Sequence, residues 1–127
     1  MTVLVDTSVL IDHLRGDPRA VELLDELVIA DEAVWAATPT RTELVAGIRA
    51  PERDALARLF AALAWVDITS AIADDAGELA HRYGRAHPGI DTTDYLIAAA
   101  ARSVGARVLT LNVRDFPMFP GLKPPYR

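Results

Sequence analysis

The chain alternates short apolar runs with longer stretches of helical spacing, and that alternation leaves few folds open to it. Residues 3–5, 33–37 ("AVWAA"), 65–68 ("WVDI") and 107–111 ("RVLTL") read as strands. Residues 18–29 place Val21, Leu24, Leu27 and Val28 at helical intervals, with Asp17 as N-cap and Pro18 at the first helical position. Further helices are predicted over 38–48, 51–63, 70–85 and 93–104, the last closed by Gly105 in the C′ position. "HPG" at residues 87–89 breaks the chain before that last helix, and the proline-rich tail "MFPGLKPPYR" reads as irregular. Strands separated by helices pair in parallel, because a parallel neighbour needs a long crossover. The expectation is one α/β domain over residues 1–127, a three-layer α/β/α sandwich around a parallel central sheet. In such sheets, sites form beyond the carboxyl ends of the strands.

The sequence contains no cysteine, which excludes thiol catalysis, disulfides and thiolate zinc sites. Its net charge of −5 argues against a protein that coats nucleic acid, yet is compatible with acids that hold metal ions. The first strand candidate begins at Thr2, which is expected to leave no room for a signal peptide, and no apolar run is as long as a membrane span. A cytoplasmic protein with no membrane contact is expected.

The strand at 3–5 runs directly into Asp6, followed by Thr7 and Ser8. Asp, Thr and Ser all suit a helix N-cap, so capping is the plain reading of this turn. Other acids, however, converge on the same edge. Glu43 lies near the start of the helix after the second strand, Asp94 near the start of the helix that feeds the last strand, and Asp115 just past that strand. Each has a local explanation too. Thr40-x-x-Glu43 fits a capping box, Asp91 suits the cap of the helix Asp94 enters, and 112–115 fits an ordinary turn. Small residues, Ala46 and Gly47 after Glu43 and Ala98 and Ala101 after Asp94, are expected to let both helices approach the sheet closely. Carboxylates that near repel one another unless a cation lies between them. Oxygen ligands without nearby His or Cys suit Mg²⁺ or Mn²⁺. His13, His81 and His87 are expected at the surface or in packing, outside the cluster.

"VDTSVLIDHL", "TELVAG", "DYLIAAAA" and "LTLNVRDF" resemble, in order and spacing, the signatures of PIN-domain ribonucleases, and more narrowly the VapC toxins of bacterial toxin–antitoxin pairs. The resemblance spans nearly the whole chain. It implies an endoribonuclease cutting structured RNA, often tRNA or rRNA, with Mg²⁺ or Mn²⁺. It also implies a homodimer and a small VapB-type antitoxin partner covering the active-site groove. By motif, Asp6, Glu43 and Asp94 match the three main acids, and Asp115 the more variable fourth. Thr7 or Ser8 supplies a hydroxyl beside the first acid, and Thr110 and Asn112 stand where the family often has polar supports. Asp91 is auxiliary or the helix cap.

Arg114 and, more weakly, Arg41 and Arg49 are candidates for phosphate contacts or for offsetting the acids. Trp35 and Trp65 are expected in the core. The contrasting function is a non-catalytic protein-binding module on the same fold. A phosphorelay receiver would want a lysine after the last strand, but the only lysine, Lys123, is in the tail. An aspartyl phosphatase would want an acid where Ser8 stands.

Overall fold

The computed structural model describes residues 2–126. In chain order the elements are β1 (Val3–Val5), α1 (Thr7–Leu14), α2 (Pro18–Ile29), β2 (Val34–Ala37), α3 (Thr38–Gly47), α4 (Arg53–Ala62), β3 (Ala64–Val66), α5 (Ser70–Tyr83), α6 (Thr92–Ser103) and β4 (Arg107–Leu109). Short 3₁₀ turns at Ala50–Glu52 and Val113–Asp115 complete the list. The four strands form one sheet in the order β3-β2-β1-β4, and every pairing is parallel.

Period-two alternation along the strands splits the core in two. Leu4 of β1 and Val108 of β4 face α5 and α6, joining Ile72, Leu79, Ile97 and Phe116. Val3, Val5 and Leu109 face the other side, where Leu10, Leu24, Leu44 and Leu59 from α1 to α4 cover them. Each such side chain contributes about 1.5–3 kcal/mol on burial, so the sheet is anchored from both faces. The result is the three-layer sandwich with a parallel sheet that the alternation implies. Among the described residues, no helix is long and apolar enough to cross a membrane.

α6 carries the run Ala98–Ala101, all 1% exposed or less, and lies against both α5 and the sheet. Small side chains do allow close approach there. The same expectation fails for α3. Ala46 and Gly47 are exposed, and nothing lies within 4 Å of where a Gly47 Cβ would stand.

Two strands are shorter than their apolar runs. β4 stops at Leu109 because the next amides turn to side chains: Leu111 N donates to Ser8 Oγ at 3.2 Å and Asn112 N to Thr110 Oγ1 at 3.0 Å. β3 likewise ends at Val66, and Ile68 N donates to Thr38 Oγ1 at 3.3 Å. The predicted helix over 51–63 begins as the 3₁₀ turn, where Glu52 accepts from Arg49 N at 3.0 Å.

In the order β3-β2-β1-β4, the chain steps outward from β1 through β2 to β3 and then crosses back to lay β4 on the other side of β1. The crevice beyond the carboxyl ends of β1 and β4 is therefore the switch point, where α/β sheets bind ligands.

Candidate active site

Asp6 follows β1 at that switch point and is 4% exposed. It occupies the N-cap position of α1 yet makes no capping hydrogen bond with its side chain. Its Oδ2 instead accepts from Thr110 Oγ1 at 2.7 Å and from Ser8 Oγ at 3.2 Å. Burial pushes the Asp6 carboxyl above the usual aspartate range, and the charge of Asp115 adds to this, while hydrogen bonds led by Thr110 pull it back.

Asp94 is the third residue of α6. Asp91 is the N-cap and accepts from Asp94 N at 3.0 Å, so the extra acid in this motif is the cap. The Asp94 carboxyl is raised to about 7, first by burial and then by the charges of Asp91, Asp115 and Asp6. Asp115 lies on the 3₁₀ turn after β4, partly buried, and its charge reaches both other aspartates. Asp6, Asp94 and Asp115, far apart in the chain, thus share one electrostatic environment.

Glu43 joins them differently. It projects from α3 on an exposed face, and its Oε1 accepts from Thr7 Oγ1 at 2.6 Å. Thr7 is the residue after Asp6, so this bond ties α3 to the first acid. Glu43 also lines a cleft of about 380 Å³ whose other wall includes Thr93, next to Asp94. The capping box expected at Thr40 and Glu43 does not form, because α3 starts at Thr38 with Ala37 as its N-cap and no side-chain cap. Thr40 is instead fully buried, with its Oγ1 at 3.1 Å from Thr7 Oγ1. A hydroxyl at that position is the polar residue that capping logic explained away. The signal for its role was its place on the same helical face as Leu44 and Glu43.

Among the described residues, no three acids are already drawn into a closed metal cage. Bare carboxylates repel, and both Asp6 and Glu43 turn an oxygen to a hydroxyl. The donor set nevertheless fits a hard divalent cation. Among the described residues, one backbone hydrogen bond favours the charged form of Asp94, while burial and three other acids push its carboxyl to about 7. A cation relieves that strain directly.

The remaining sequence candidates separate cleanly. Arg41 stacks over Phe60 and Trp65, 4.3 Å and 4.6 Å from the ring centroids. Two residues from Glu43 on a helix, it points to another side, toward the aromatic pair. Arg49 forms an ion pair with Glu52 at 3.0 Å. Asn112 and Arg114 are exposed beside Asp115. Trp65 donates its indole N–H to Phe60 O at 3.0 Å and meets the Phe60 ring edge-on, so it is a packing residue. His13 is partly buried on α1, and His81 and His87 are exposed.

A parallel sandwich with one buried and two partly buried aspartates at its switch point is the architecture of a metal-assisted phosphodiester site. The sequence profile of the PIN domain matches residues 3–119, and the chain belongs to the PIN-domain family. It is 51% identical over 123 residues to Ribonuclease VapC19 of Mycobacterium tuberculosis, covering 97% of this chain and 98% of that protein. Its structure is similar to that of DNA-bound VapBC from Salmonella typhimurium, with a TM-score of 0.77, 26% identity, and 97% and 96% of the two chains covered. VapBC2 from Rickettsia felis, bound to a DNA fragment from its promoter, has the same fold at a TM-score of 0.80 and 20% identity, with 96% of each chain covered.

Proposed function

We propose that the chain is a VapC-type toxin, an endoribonuclease that hydrolyses RNA phosphodiester bonds with Mg²⁺ or Mn²⁺. In this reading Asp6, Glu43, Asp94 and Asp115 hold the ion. The observation that carries it is the gathering of Asp6, Asp94 and Asp115 at one rim of the sheet, where burial first and the charges of Asp91, Asp115 and Asp6 second push the Asp94 carboxyl up to about 7. The 51% identity to Ribonuclease VapC19 sets the activity class.

A bound divalent ion supplies Lewis-acid activation of a water and neutralises charge on the departing oxygen. The chain's own residues do the rest. Thr110 and Ser8 both donate to Oδ2 of Asp6 and so restrain its carboxylate at the end of β1. Thr7 holds Glu43 across the cleft. Asp91 caps α6, which keeps Asp94 in the first turn. Arg114, exposed next to Asp115, is the side chain that would receive an RNA phosphate in this reading.

The partner in this reading is a VapB-type antitoxin, because the similar solved structures are VapBC complexes. The protein acts as a homodimer in the cytoplasm, where its RNA substrate is. The test is cleavage of total RNA with Mg²⁺ by wild type and by folded Asp94→Asn and Asp6→Asn. Loss of cleavage by a hundredfold or more is expected for both, and undiminished cleavage by either removes that acid from the site.

A further inference from the structure

The bond between Thr7 and Glu43 has a second layer behind it. Thr7 Oγ1 carries one proton and lies 2.6 Å from Glu43 Oε1 and 3.1 Å from Thr40 Oγ1. An ionised carboxylate only accepts, so the Thr7 proton belongs to Glu43. The bond between the two threonines must then be made with the Thr40 proton, donated to Thr7 Oγ1. Thr40 is fully buried and Thr7 is 7% exposed, so water does not replace this donor.

Glu43 itself is exposed on α3, on a long side chain with several rotatable bonds. Among the described residues, the bond from Thr7 is the one hydrogen bond that restrains its carboxylate. Thr40 lies one turn before it, and its full burial together with branching at Cβ restricts its χ1. Its hydroxyl direction is set by the core, and that direction is passed to the carboxylate through Thr7. Residues that orient a ligand in this way govern metal affinity nearly as strongly as the ligand does.

We propose that Thr40 is a positioning residue: its hydroxyl donates to Thr7, Thr7 donates to Glu43, and this buried two-hydroxyl relay aims the Glu43 carboxylate at the divalent ion. The proposal rests on the metal site described above. It assigns Thr40 no contact with substrate or metal.

The experiment is Mn²⁺ titration of the whole chain by calorimetry, with thermal melts on the same samples. Thr40→Val keeps the shape and removes the donor. It is expected to weaken Mn²⁺ binding about tenfold or more, while Thr40→Ser restores most of the affinity. In RNA cleavage the same variant is expected to lower kcat with KM nearly unchanged. Thr7→Val and the double variant Thr7→Val/Thr40→Val are expected to bind Mn²⁺ equally, because Thr40 acts only through Thr7. If the valine variant does not fold, the Thr40→Ser and Thr40→Ala pair isolates the same oxygen, and equal affinities for the two overturn the relay. Wild-type binding that Thr40→Val leaves unchanged also overturns it, as does a fully additive double variant. No Mn²⁺ heat from wild type at all would overturn the metal site and the relay together.

Discussion

Thr110 and Asp6 lie 104 positions apart in the chain, and Thr110 Oγ1 donates a 2.7 Å hydrogen bond to Asp6 Oδ2. Both are buried. The bond joins the end of β4 to the end of β1 and supports a carboxylate that burial would otherwise drive further toward its neutral form. A hydrogen bond to a charged group contributes about 1.5–3 kcal/mol. Thr110→Val is therefore expected to cost about 2 kcal/mol at pH 8. The loss is expected to shrink as pH falls to 4, because burial raises the Asp6 carboxyl and protonation weakens the bond it accepts. Urea denaturation at the two pH values checks it, and an equal loss at both would assign the cost to packing instead.

Asp94 predicts an inverted pH dependence for the metal-free protein. Its carboxyl rises from an ordinary 3.8 to about 7 on folding, so between those values the folded state binds more proton than the unfolded. The contribution of this group to stability is complete below pH 4 and is lost as pH climbs toward 7. Asp94→Asn removes that loss. Because Asp94 is only partly buried, solvent screening reduces the gain to about 1–2 kcal/mol at pH 8. Melts in chelator should show the variant above wild type at pH 8 and level with it near pH 4.

Divalent ions are expected to reverse that order. Mn²⁺ at a hundred times its dissociation constant adds about 2.7 kcal/mol to a protein that binds it only when folded. For a chain of this length that is a rise of roughly 5–15 °C in Tm. Wild type is expected to show it, Asp94→Asn to show almost none, and Asp115→Asn an intermediate rise. A rise of equal size in all three would place the ion elsewhere on the molecule.

Arg41 and Arg114 make a contrasting pair. The Arg41 guanidinium is stacked on Phe60 and Trp65, where such contacts contribute about 0.5–2 kcal/mol. Arg41→Ala is expected to lower stability by about 1 kcal/mol and leave RNA cleavage within twofold of wild type. Arg114→Ala is expected to do the opposite, raising KM for RNA severalfold with no change in melting. An Arg41 variant that loses cleavage while keeping its stability would return that residue to the RNA surface.

The tertiary structure departs from a reading of the sequence where a side chain has two local uses. Asp6 and Thr40 both stand where caps are expected, and neither caps. Asp91 has the same character and does cap. Local pattern does not separate these cases, because a hydroxyl or carboxylate at a helix start can bond either the next turn of its own helix or a group brought in from another element. The shortened β3 and β4 have the same origin. The predicted runs continued past Val66 and Leu109, but the amides of Ile68 and Leu111 had hydroxyl partners waiting on other elements, and that of Asn112 turned back to Thr110. Arg41 was legible only as a charge near Glu43, and the aromatic pair that takes its guanidinium comes from α4 and β3.

By itself, the sequence determined the alternation of strand and helix, hence a parallel sheet with helices on both faces, and it determined which acids stand at the strand ends. Those properties follow from periodicity and from the need of parallel strands for long crossovers, and both are written in nearest neighbours along the chain. Only the tertiary structure decided which oxygen each acid turns outward and which hydroxyl holds it. Those are contacts between residues up to 104 positions apart, and they exist only once two cores have closed around the sheet.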